Sequence, residues 1–191
     1  MYIKESFETY LNDLAARKPA PGGGSAAALN AAIGAGLMSM VAGYTDDAKV
    51  ILKKAETARK RLQELIDADI EAYGKLSKAL KDCKDPAKLD ALYREAAKPP
   101  YEVCRISAEC LKLCEDLAGL CNKNLITDVA IAAICLEGAF FAAKYNVYIN
   151  LKHVKDMDFI GEMHKVLQPL EGELPKLKEE ILEKCEDAIA K

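Results

Sequence analysis

The stretch IDADIEAYGKL, residues 66–76, carries two aspartates two positions apart. On a helix they point about 200° apart and cannot share a role. Asp69 lies at the centre of an apolar stripe made by Leu62, Leu65, Tyr73, Leu76 and Leu80, at offsets −7, −4, +4, +7 and +11, whereas Asp67 points away from it. A carboxylate on a core-facing stripe must find partners, open to solvent, or have its pKa raised until it is held as an acid. The last state suits proton transfer near neutral pH. A structural aspartate bonded to backbone or to a serine fits the same pattern.

A second stretch, PAPGGGSAAALNAAIGAGLMSM, begins at Pro19 within a run that has no charged side chain between Lys18 and Asp46. Three consecutive glycines need a reason, such as backbone at positive φ or a ligand pressed against it. Placed before a helix, Pro21, Gly22, Gly23, Gly24 and Ser25 could present backbone donors and a positive dipole end to an anion or a planar polar group. Lys and Ser/Thr do not follow at phosphate-loop spacing, and no strand precedes the glycines as a dinucleotide fingerprint requires.

The third stretch, NKNLITDVAIAAICLEGAFFAAKYNVYINL, reads as one helix on which Asn124, Asp128, Cys135, Ala139, Ala142, Asn146 and Asn150 fall within about 40° of one line. Polar side chains mark both ends of a small-residue face. Asp128 and Asn146 are separated by about 27 Å of ideal helix, too far to grip one atom of a small ligand. They serve different parts of an elongated ligand, or sites made with different subunits. Alternatively, residues 122–128 cap the helix and the two asparagines anchor neighbouring loops.

Other chemistries are disfavoured. With Lys+Arg 27 against Asp+Glu 30 and the signs interspersed, the chain lacks the electrostatic footprint of a nucleic-acid binder. Its seven cysteines are an odd number at mostly apolar helical positions, and no signal peptide is evident, which points to a reducing, cytoplasmic setting. There is no CxxC pair, and His153 and His164 are not in HExxH spacing, so no metal is expected. The uncharged run 19–45 is dominated by alanine and glycine and reads as a buried helix rather than a membrane span.

The elements that must position these residues are helical almost throughout, because 3.6-residue periodicity dominates and no period-two run is long enough for a strand. The expectation is an all-α, up-and-down multi-helix bundle forming one domain over 1–191. A first helix over 3–17 carries Phe7, Tyr10, Leu11 and Leu14 on one face. Ser25 caps a second helix reaching residue 43, and a third runs from the Thr45, Asp46, Asp47 cluster to about residue 80. A short fourth helix starts at Pro86 and ends at the Pro99–Pro100 break, and a fifth follows to residue 120. The sixth is the helix of Asp128 and Asn146, and the tail forms two helices divided near Pro169. On the second helix Ala32, Ala35, Gly36, Ser39 and Gly43 make a small face opposite Leu29, Ile33, Leu37 and Met40. The small face suits tight packing within the chain or a two-fold subunit interface.

Taken in order, PGGGSAAAL at 21–29, DADIEAY at 67–73, KPP at 98–100, and NKNLITDVAIAA followed by NVYINL resemble the formimidoyltetrahydrofolate cyclodeaminase and methenyltetrahydrofolate cyclohydrolase family. The likeness spans nearly the whole chain, with Lys-Pro-Pro where the family usually has Val-Pro. The resemblance implies an all-helical homodimer that binds a tetrahydrofolate derivative near the glycine loop and needs no separate cofactor. It implies a proton-transfer role for the second aspartate of the pair, Asp69, and substrate contacts from Pro21, Gly22, Gly23, Gly24, Ser25, Asn124, Asp128, Asn146 and Asn150. The implied reaction is cyclodeamination of 5-formimidoyltetrahydrofolate, with hydrolysis of 5,10-methenyltetrahydrofolate as the alternative. A folate-binding or interaction module without catalysis is the alternative of another class. Nucleic acid and membrane are not expected partners.

Overall fold

Among the described residues, 1–190, of the computed structural model, six α-helices and three short 3₁₀ turns account for nearly all of the chain, with no strand. Helix α1 (Phe7–Ala15) starts later than its periodicity suggests. Ser6 caps it by accepting the Thr9 N–H at 3.0 Å, and Tyr2–Lys4 forms a separate 3₁₀ turn. Helix α2 (Gly23–Gly43) begins before Ser25, which is therefore not its N-cap. From the third helical position the Ser25 hydroxyl donates to the Gly22 carbonyl at 2.9 Å and accepts the Gly22 N–H at 3.2 Å. It also lies 3.1 Å from the buried Tyr10 hydroxyl, which joins α1 to the start of α2.

Helix α3 (Lys49–Asp82) carries both aspartates. Helix α4 (Pro86–Leu120) runs unbroken through Pro99 and Pro100, where the sequence suggests a division. Each proline removes one i→i−4 hydrogen bond and frees a carbonyl. The carbonyl freed by Pro100 is that of Ala96, and the Asn150 side-chain amide donates to it at 3.3 Å. A residue from another helix thus replaces the missing backbone donor. Helix α5 (Ile126–Leu151) follows the 3₁₀ turn Lys123–Leu125, which Asn122 caps. Helix α6 (Met157–Ile189) is likewise one helix rather than two, with Pro169 on its exposed face, where water can satisfy the freed carbonyl.

Helices α2, α3, α4 and α5 form a closed ring of neighbours, and α6 lies against α4 and α5. By length and composition α2 and the segment Lys123–Leu151 would pass for membrane spans; here they pack on each other within the bundle. Gly34 makes the closest approach, because a Cβ there would sit 2.8 Å from Leu136 Cγ and 3.2 Å from the Ala132 carbonyl oxygen. The small side chains of α2 thus serve packing within the chain: Ala32, Ala35 and Ser39 are buried. The larger residues Ile33 and Met40 face outward instead.

The α5–α6 contact contains a buried charge. Lys144 Nζ lies 3.1 Å from Glu171 Oε2, with the rings of Phe141, Tyr145 and Tyr148 at 4.8, 5.3 and 5.8 Å, and the Tyr148 hydroxyl donates to Glu171 at 2.5 Å. The lysine is thereby paired, and caged by aromatic faces.

Candidate active site

A cleft of about 420 Å³ opens between the glycine loop, α3, the first part of α4 and the end of α5. Asp69 is at one end of it. The apolar stripe on α3 is core only in part: Leu62, Leu65 and Leu76 are buried, whereas Tyr73 and Leu80 are exposed and line the cleft with Asp69.

The Asp69 carboxylate lies directly against Gly24. A Cβ at residue 24 would fall 2.5 Å from its Cγ and 2.7 Å from Oδ2, which no real side chain tolerates. Gly23 faces Asn146, whose amide atoms lie 3.4 Å from the position of its missing Cβ. No glycine among the described residues has positive φ, so the triple glycine is explained by close approach, not by an unusual backbone.

Burial pushes the Asp69 carboxyl up to about 6, while a backbone hydrogen bond from Ser25 acts in the opposite direction. No cation contributes. Burial likewise raises the Tyr10 hydroxyl, an effect that its hydrogen bond with Ser25 reduces and the nearby Asp69 charge reinforces. A carboxyl that titrates near 6 can give or take a proton at neutral pH.

Opposite Asp69 stand the two asparagines of α5. Asn146 donates its amide to the Ala142 carbonyl at 2.9 Å, and Asn150 donates to the carbonyls of Asn146 at 2.7 Å and Ala96 at 3.3 Å. Asn150 thus spends both amide N–H donors on backbone and Asn146 one of its two, and both side-chain carbonyls remain acceptors in the cleft wall. The far end holds a pair that sequence reasoning missed. Tyr93 and His153 stack with centroids 4.5 Å apart and planes 18° apart, and both line the cleft.

Of the residues singled out from sequence, Gly22, Gly23, Gly24, Asp69, Asn146 and Asn150 line this cleft together. Pro21 and Ser25 are buried behind the loop and shape it rather than face the cavity. Asn124 and Asp128 lie at the opposite end of α5 and do not reach the cleft within one subunit. Asp67 does face away, where it accepts the Tyr2 N–H at 2.6 Å and fastens the N-terminal turn to α3.

No group of three potential metal ligands occurs among the described residues. All seven cysteines are free, and burial pushes Cys104 and Cys110 up to about 12, away from the reactive thiolate.

Comparison with known proteins identifies the family. The sequence profile described as formiminotransferase-cyclodeaminase matches residues 6–169. A Methylorubrum extorquens protein named methenyltetrahydrofolate cyclohydrolase is 33% identical, covering 97% of this chain and 98% of its own. The Mus musculus formimidoyltransferase-cyclodeaminase is 30% identical over 88% of this chain, which spans 34% of that longer protein. The crystal structure of formiminotetrahydrofolate cyclodeaminase from Thermotoga maritima superposes with a TM-score of 0.91 at 30% identity, covering 99% of this chain and 100% of that one. A match over most of the sequence and a shared fold over its whole length together show that this chain belongs to the formiminotransferase-cyclodeaminase family.

Proposed function

We propose that the chain is a folate one-carbon enzyme that converts 5-formimidoyltetrahydrofolate to 5,10-methenyltetrahydrofolate and ammonia, with Asp69 moving the proton. The carrying observation is an uncompensated carboxyl, titrating near 6, held against Gly24 at the end of the cleft. N10 attacks the carbon of the protonated formimidoyl group, N5–CH=NH2+, so the exocyclic nitrogen becomes a neutral amine and the new C–N bond leaves N10 with a proton to lose. Asp69 accepts that proton and delivers it to the exocyclic nitrogen, whose bond to carbon breaks to release ammonia. One carboxyl thus acts as base and then as acid, and the steps require no cofactor.

A second reading is favoured by the full-length match to the M. extorquens protein. In it water attacks the methenyl carbon, Asp69 takes one water proton and returns it to N5 as the carbon–N5 bond breaks, and the remaining hydroxyl proton leaves to solvent to give 10-formyltetrahydrofolate. The absorbance of methenyltetrahydrofolate separates the two: it rises from the formimidoyl substrate in cyclodeamination and falls by enzyme-accelerated hydrolysis in the other. Neither change above the uncatalysed rate, with reduced folate still bound, would leave a binding module.

The active form in this proposal is a cytoplasmic homodimer, and pairing supplies the two distant polar residues. The outer face of α5 is apolar and symmetric about Gly138: Ile131 and Tyr145 lie seven residues either side, Ile134 and Ala142 four, Thr127 and Ile149 eleven. All but Ala142 and Gly138 are exposed. Helix α2, which packs on α5, also exposes Ile33 and Met40. A two-fold axis at Gly138 pairs this face with itself antiparallel. Asp128 and Asn146 both lie about 80° round from the Gly138 line, about 15 Å and 12 Å along the helix in opposite directions. The axis therefore brings Asp128 of one subunit level with Asn146 of the partner subunit, with Asn124 one turn beyond. Sedimentation at micromolar concentration tests the pairing: the wild type runs as a dimer and Ile134→Glu as a monomer.

A further inference from the structure

The Tyr93–His153 stack lies in the wall of the cleft, yet nothing in the proton-transfer steps uses it. Its geometry is fixed from several directions. His153 follows the last turn of α5 and donates its N–H to the Asn150 carbonyl at 3.0 Å. Two residues on, the Lys155 N–H donates to Asp90 at 2.6 Å. Arg94, one position after Tyr93, bridges Asp90 and Asp156 at 3.1 Å each. The loop bearing His153 is thus clamped to the turn of α4 bearing Tyr93, and the rings are held in register. Neither the Tyr93 hydroxyl nor the His153 ring nitrogens hydrogen-bond to any other described residue in the structure.

Asn150 lies beside this pair, with its amide nitrogen spent on two carbonyls and its own carbonyl free to accept. A flat ring with N–H donors on its edge matches an aromatic wall beside an acceptor. In a reduced folate the ring of that description is the pterin, which carries an amino group and ring N–H donors. The benzoylglutamate arm carries carboxylates, which a free carbonyl repels. Resting on the folate reading above, we propose that Tyr93 and His153 form the pterin-stacking subsite, with Asn150 as the acceptor that sets the ring's orientation. Neither residue exchanges a proton with the reacting carbon; they position it against Asp69.

The test uses equilibrium binding of 5-formyltetrahydrofolate, with 6-methyltetrahydropterin and p-aminobenzoylglutamate as competing fragments. Tyr93→Leu and His153→Leu should weaken the whole folate and the pterin fragment by the same factor, about tenfold, without changing competition by p-aminobenzoylglutamate. Tyr93→Phe and His153→Phe, which keep a ring, should stay within about twofold of wild type. Unchanged folate affinity in both leucine variants overturns the subsite, as does a loss confined to p-aminobenzoylglutamate. A wild-type protein that binds no reduced folate would instead sink the folate reading and the subsite with it, a failure visible before any variant is made.

Discussion

Two charged side chains withdrawn from bulk water lie on opposite sides of this bundle, and the structure treats them differently. Lys144, between α5 and α6, has a carboxylate partner, three aromatic faces around it and a tyrosine hydroxyl completing the network. Asp69, between α3 and the glycine loop, has no cation and only one backbone hydrogen bond resisting the effect of burial. A satisfied charge fixes a joint. An unsatisfied one titrates closer to neutral pH and can exchange a proton, at a cost in stability that a purely structural residue would not carry.

The comparison breaks most easily at Asp69. Asp69→Asn should lower turnover by about 100-fold or more while leaving folate affinity nearly intact. It should also stabilise the fold. A carboxyl whose folded pKa lies above its unfolded value of 3.8 binds more protons when folded, so stability falls as pH rises from about 4 to about 6. The Asn variant escapes that loss. Its thermal midpoint should exceed that of wild type by a few degrees above pH 7, and the difference should vanish near pH 4. Lower activity with a lower midpoint at every pH would make Asp69 structural after all.

Gly24→Ala sharpens the same point without touching the carboxyl. The added methyl collides with Asp69, so the carboxylate must move, and turnover should fall about tenfold or more with about 1–3 kcal/mol of destabilisation. Wild-type kinetics in this variant would show that the close approach has no role. On the other side of the comparison, Lys144→Ala should lower stability by about 2–3 kcal/mol in denaturant titration, at the low end for a buried pair because Glu171 is partly exposed. Turnover per folded molecule should hold. The smallest effect belongs to Asp67→Asn, which weakens the tether of the N-terminal turn and should cost about 1 kcal/mol, read by denaturant titration or by faster amide exchange at Tyr2.

What the sequence makes legible follows from what is local. The separation of Asp69 from Asp67 needs only the angular pitch of a helix, and the polar ends of α5 need little more. The continuity of α4 was not legible, because the donor that replaces the bond lost at Pro100 comes from Asn150, fifty residues on. The pairing of Tyr93 with His153 was not legible for the same reason: each is an ordinary helical or loop residue until the Asp90–Arg94–Asp156 clamp stacks them. The small face of α2 was visible, but whether it met another helix of this chain or a second subunit depended on packing that composition does not encode. Ser25 shows the converse. Its capping chemistry was readable, while its place at the third position rather than the cap depended on where Gly23 enters the helix.

The central claim is that burial without a counter-charge raises the Asp69 pKa towards neutral pH. It is tested most directly by titrating that carboxyl in the intact protein, as the carbon-13 carboxyl signal present in wild type and absent from Asp69→Asn. A midpoint near pH 6 is the expected result. A midpoint at or below about 4, the ordinary aspartate range, would show a compensated carboxylate and contradict the account.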